Sequence, residues 1–126
     1  MTEREAVFDK IMIEALPKHL HVTYAVRREP IINDVTVAEA TEAGIGEVAR
    51  ILPSGCTAPG TMLGECSEEF LEVYRNSDLI ISKGQGNYEA LSAEQDLFFL
   101  LKAKCPVLAR RLNVPLNSYV LKYSGR

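Results

Sequence analysis

The stretch Asp78-Leu79-Ile80-Ile81-Ser82-Lys83-Gly84-Gln85-Gly86-Asn87-Tyr88-Glu89 decides the reading of this chain. Asp78 to Ser82 is a compact apolar run of strand length, suited to a strand buried on both faces. Two glycines follow at once, then a helical turn around Tyr88 to Leu91. In a parallel sheet, ligands bind beyond the carboxyl ends of the strands, and Ser82 and Lys83 stand at such an end. Lys83 brings a point positive charge, and the amides around Gly84 and Gly86 bring donors that an anion can approach closely. The arrangement reads as a phosphate cradle. The alternative is an ordinary tight turn with an exposed lysine. The stretch is neither a Walker loop nor the Gly-x-Gly-x-x-Gly dinucleotide pattern.

The pattern outward from this stretch keeps switching period. Downstream, Leu97 to Leu101 reads as another buried strand, Cys105 to Leu112 as a helix and Ser118 to Tyr123 as a closing strand. Upstream, Ser67 caps a helix whose first turn holds Glu68 and Glu69, where the dipole favours negative charge. Phe70, Leu71 and Tyr74 supply its buried face. Before it, the glycine- and proline-bearing segment Ser54 to Gly64 reads as a loop. Val48 to Leu52 is a short strand stopped by Pro53. Thr36-Val37-Ala38-Glu39 is a capping box that opens a short helix to about Glu42, closed by Gly44 and Gly46. His21 to Val26 is β-branched and aromatic, hence a strand. Val7, Phe8, Ile11, Met12 and Ala15 recur at helical spacing in a first helix, opened by a Thr2/Glu5 capping box and ended by Pro17. Alternating strands and helices imply an α/β layer structure with a mainly parallel sheet, in a single domain over residues 1–126.

Two further segments offer site residues. In Pro30-Ile31-Ile32-Asn33-Asp34-Val35-Thr36, Asp34 stands just before a helix start, where a carboxylate ligates a hard cation such as Mg²⁺. Plain helix capping is the alternative for the Asn33-Asp34 pair. Ser54-Gly55-Cys56-Thr57-Ala58-Pro59-Gly60-Thr61 carries glycines and hydroxyls suited to lining a site, Gly55 and Thr57 among them; a surface loop is the alternative. Cys105, before Pro106 at a helix entrance, is either a thiolate held by the dipole or a small buried apolar residue. His19 and His21 have no Cys or His pair beside them, which argues against zinc. Without a Gly-x-Ser-x-Gly elbow, serine-hydrolase chemistry has no support.

Composition narrows the classes further. The 126 residues carry 14 basic and 17 acidic side chains, a formal net charge of −3, which argues against a nucleic-acid binder with its basic stripe. Apolar residues make up 47% and charged residues 25%, the usual mixture of a soluble globular domain. The apolar runs fall far short of the ~20 residues a membrane span needs, and the charged start shows no secretory signal. Three cysteines without a Cys-x-x-Cys spacing fit reduced thiols in a cytoplasm.

Four segments then stand in a telling order: Glu5-Ala6-Val7-Phe8-Asp9, Pro30 to Thr36, Ile81 to Glu89, and Lys102-Ala103-Lys104-Cys105-Pro106. Together they resemble the C-terminal part of the damage-control phosphatases (domain of unknown function 89), from about Glu5 to Tyr123. The Ser-Lys-Gly-x-x-Asn-Tyr-Glu stretch is the most specific element. The resemblance implies a three-layer α/β/α, Rossmann-like fold and a phosphatase that uses a divalent metal (Mn²⁺, Co²⁺, Ni²⁺ or Mg²⁺) on phosphorylated small metabolites or sugar phosphates. It makes Asp34 a catalytic metal ligand and Lys83 the catalytic partner of the substrate phosphate. The candidate substrate-binding residues are Asn33, Gly55, Thr57, Ser82, Gly84 and Asn87. Where the family has Asp-Asn-Ala-Gly, with two further metal ligands, this chain reads Met1-Thr2-Glu3-Arg4. The expectation is therefore weak metal affinity and impaired turnover, with a non-catalytic phosphometabolite-binding or assembly domain as the alternative function. Asp34 and the Ser82–Asn87 loop are expected on one edge of the sheet. Self-association or a missing N-terminal segment is expected to cover apolar surface on the first helix or a sheet edge.

Overall fold

The computed structural model describes residues 3–27, 35–56 and 60–125, with side chains from Ala6 onward. Thr2, the Glu5 side chain and residues 30–34 lie outside that range, so the first capping box and the Pro30–Asp34 connection are not described. Two compact units divide the chain: Met1–Ala58 with Leu63–Leu71, and Pro59–Met62 with Glu72–Arg126.

In the first unit, helix α1 (Glu3–Glu14) leads to strand β1 (Thr23–Val26), helix α2 (Val37–Glu42) and strand β2 (Arg50–Pro53). β1 and β2 pair in parallel, from Thr23 opposite Arg50 to Val26 opposite Pro53. β2 therefore starts two residues later than Val48 and keeps Pro53 as its last residue. A proline, which has no N–H to donate, is tolerated at a strand end in so small a sheet. The α2 capping box is present as the sequence predicts: Thr36 Oγ1 accepts from Glu39 N, and the Glu39 carboxylate accepts from Thr36 N. Ala6, Ile13, Val26, Ala40 and Ile45 form the core, with Tyr24, Val35, Val37 and Ile51 packed against it. The inward face of α1 is Ala6, Asp9 and Ile13, while Val7, Phe8 and Ile11 are exposed. Ser67 caps helix α3 (Glu68–Asn76), its Oγ accepting from Phe70 N at 3.2 Å.

In the second unit, strand β3 (Ile81–Lys83), helix α4 (Gln85–Leu91), strand β4 (Leu97–Lys102), helix α5 (Pro106–Leu112) and strand β5 (Tyr119–Ser124) follow in order. β3 and β4 are parallel and β4 and β5 antiparallel, in the order β3-β4-β5. Among the described residues, two of the three strand pairings are thus parallel, and the chain is α/β. β3 is shorter than the Asp78–Ser82 run suggested, and that run is not buried on both faces: Leu79, before the strand, is 59% and Ile81, its first residue, 42% exposed. The reason lies in the sheet's two faces. One buries Ser82, Leu97, Phe99 and Leu101, with Tyr88 of α4 meeting Phe99 edge to face at 4.9 Å between ring centres. The other aligns Ile81, Phe98 and Tyr123 in one row and Lys83, Leu100 and Leu121 in the next, and Tyr119, Leu121 and Tyr123 are exposed there. β4 accordingly alternates buried and half-buried along its length. Among the described residues, no helix is long and apolar enough to cross a membrane.

Candidate functional site

Lys83 closes β3 at its carboxyl end, where an α/β sheet gathers ligand groups. The chain then turns sharply because Gly84 adopts φ +95°, a conformation that side-chain-bearing residues rarely hold. Open space lies where a Gly84 Cβ would stand, so the backbone can be approached closely there. Gly84 N donates to Leu100 O at 2.9 Å, tying the turn to β4, and Gly84 O accepts from Tyr88 N at 3.1 Å. Asn87 reaches back from α4: its Nδ2 donates to Lys83 O at 2.8 Å, while its Oδ1 accepts from Thr61 Oγ1 at 2.8 Å.

The pleat separates Ser82 from Lys83. Neighbouring strand residues point to opposite faces, and Ser82 lies on the buried face opposite Phe99 while Lys83 lies in the row of Leu100. The Ser82 hydroxyl is buried and has no hydrogen-bond partner among the described residues. A shallow cleft of about 560 Å³, lined by Tyr74, Asp78, Ile80, Asp96 and Tyr123 among others, opens near the start of β3 instead of at Lys83.

In the first unit, Gly55 sits at φ +80° with its α-carbon against the cap of α3, where an added Cβ would stand 2.9 Å from Ser67 N. Its glycine is thus required by packing. Sequence reasoning missed the group beside it. Arg27 is buried at the end of β1, and its Nη1 donates to Cys56 O at 3.0 Å and to Ser54 Oγ at 3.5 Å. The signal available was faint: an arginine ending a β-branched strand resembles a solvated strand exit. Cys66 lies close to Cys56, and burial pushes its thiol up to about 11, Cys56 adding to the rise and Arg27 opposing it. Asp9 was also missed; it is buried on α1 and accepts a hydrogen bond from Tyr24 Oη.

Asn33, Asp34 and Thr57 lie outside the described residues, and so does the expectation that Asp34 shares an edge with the Ser82–Asn87 loop. Among the described residues, no three His, Cys, Asp or Glu side chains gather into a group able to hold a metal ion. The described side chains do not by themselves fit one.

The fold and sequence have counterparts among known proteins. A damage-control phosphatase from Pyrococcus horikoshii is 42% identical over 120 residues, which cover 92% of this chain and 42% of that protein. One from Archaeoglobus fulgidus is 34% identical over 122 residues, covering 94% of this chain and 42% of that protein. The crystal structure of a DUF89-family protein from P. horikoshii matches with a TM-score of 0.87 at 40% identity, over 93% of this chain and 42% of that one. The chain thus spans about two fifths of the length of the curated relatives it matches. The family model for the damage-control phosphatase ARMT1-like domain matches residues 4–120, nearly the whole chain, and the chain belongs to that family.

Proposed function

We propose that this chain is a phosphatase-type domain acting on phosphomonoesters of small metabolites or sugars, with Lys83 as the positive partner of the substrate phosphate. The observation that carries the reading is the position of Lys83: it ends a parallel strand and is followed by a glycine turn whose backbone is open to approach. α4 has only seven residues, so its dipole is a minor attraction beside a full lysine charge. The Ser82 hydroxyl, on the buried face, is a second contact in this reading only for a ligand that reaches past the strand end.

The same reading makes Asp34 the anionic ligand of a divalent cation, Mn²⁺, Co²⁺, Ni²⁺ or Mg²⁺. Such an ion supplies charge neutralisation and polarisation of the attacking group when bound. What the described residues supply is orientation: Gly84 N donates to Leu100 O and Lys83 O accepts from Asn87 Nδ2, so both polar ends of the Lys83–Gly84 peptide are held just where the Lys83 side chain leaves the strand.

The test is hydrolysis of p-nitrophenyl phosphate and of sugar phosphates with each of those metals, alongside phosphate-ester binding. Lys83→Ala is expected to lower binding or turnover about tenfold or more, as loss of a charge-assisted contact does. Asp34→Asn is expected to weaken the response to metal while phosphate binding persists. Activity and binding untouched by Lys83→Ala would overturn the reading. Binding without turnover under any metal selects the non-catalytic phosphometabolite-binding alternative.

A further inference from the structure

We propose that Thr61 is a positioning residue for Lys83, acting through Asn87; the inference rests on the reading of Lys83 as the phosphate partner. Thr61 belongs to the 60–62 segment, which the second unit holds against the start of α4. Gly60, at φ +77°, makes that approach possible: a Cβ there would stand 2.4 Å from Gly86 O and 3.2 Å from the Ala90 Cβ. Any side chain at position 60 would lift the segment away from the helix.

The direction of the hydrogen bonds follows from chemistry. The Lys83 carbonyl can only accept, so the amide nitrogen of Asn87 must face it, at 2.8 Å. That leaves Asn87 Oδ1, an acceptor, turned toward Thr61, whose hydroxyl donates to it at 2.8 Å. The chain Thr61–Asn87–Lys83 therefore runs one way, from hydroxyl to amide to carbonyl. Gly84, at φ +95° and ψ 157°, leaves the helical path, and the Asn87 side chain takes up the Lys83 carbonyl at the turn. With Gly84 N bonded to Leu100 O, the turn is held from the β4 side and from the Thr61 side together. Removing the Thr61 hydroxyl frees the Asn87 side chain to rotate and lets the lysine backbone relax. A displacement near 1 Å is enough to cost a positioned contact on the order of tenfold or more.

The experiment titrates inorganic phosphate into the full chain, read on the backbone amide resonances of Gln85 and Gly86, for the parent, Thr61→Val, Thr61→Ser and Gly60→Ala. The expected result is roughly fivefold to tenfold weaker phosphate binding for Thr61→Val and Gly60→Ala, with Thr61→Ser restoring most of it because the donor is kept. Hydrogen exchange of the Lys83–Tyr88 amides is expected to quicken in Thr61→Val and return toward the parent in Thr61→Ser. Parent-like phosphate binding by Thr61→Val, or failure of Thr61→Ser to rescue, would overturn the proposal while leaving Lys83 in place. Absence of phosphate binding in the parent would overturn the reading of Lys83 itself, and the positioning role with it.

Discussion

Cys66 shows how neighbours give one side chain a property its sequence context does not announce. Burial beside Cys56 lifts its thiol from an ordinary 9.0 to about 11, against the pull of Arg27. The folded state then holds the proton more tightly than the unfolded chain does. Stability is consequently kept below the ordinary thiol range and lost as pH rises from about 9 toward 11. Thermal unfolding followed across that alkaline window is expected to decline more steeply for the parent than for Cys66→Ser, which has no thiol to ionise. Equal slopes would show that Cys66 is not a source of the alkaline loss. Lys83 is the opposite case, since its place at a strand end before two glycines was legible from the sequence. Arg27 was not legible, because what buries it is a carbonyl and a hydroxyl supplied nearly thirty residues further along the chain.

At the level of elements, local chemistry specifies ends better than faces. The α2 start is an example: Thr36 and Glu39 exchange hydrogen bonds within one turn, so no distant partner is needed to define it. Thr36→Ala is expected to destabilise the fold by about 1 kcal/mol, the usual cost of losing such a cap. A shift of the urea midpoint with an unchanged slope would measure it, and Thr36→Ser should recover most of the loss. α1 makes the complementary point. Helical spacing of Val7, Phe8 and Ile11 marked a helix, yet the inward stripe is Ala6, Asp9 and Ile13. Asp9 turns inward because Tyr24 of β1 donates to it, and Ala6 because its small side chain fits a fully buried position. The groups that cover both, Tyr24, Val26, Ala40 and Ile45 among them, lie outside α1.

For the whole molecule, the most consequential surface is the exposed face of the β3-β4-β5 sheet. Tyr119 is 80%, Leu121 68% and Tyr123 51% exposed on neighbouring rungs of one strand. Contiguous apolar surface of this kind promotes association. Light scattering across a concentration series is therefore expected to show an apparent mass that rises with concentration, and Leu121→Lys is expected to flatten the rise. A parent that stays monomeric at every concentration would contradict this.

Much of the architecture was settled by the sequence alone. Strand, glycine turn and helix around Lys83, the capping of α2 and α3, and the α/β alternation all depend on residues within a few positions of one another, where backbone preferences act directly. The family resemblance carried by the Lys83 stretch was likewise visible in the chain itself. Tertiary structure alone decided which face of α1 turns inward, which face of the β3-β4-β5 sheet is covered, and that Thr61 reaches Asn87. These outcomes depend on burial and on hydrogen bonds between groups far apart in sequence. Period and spacing describe a segment's own geometry and carry no record of the partner that will cover it.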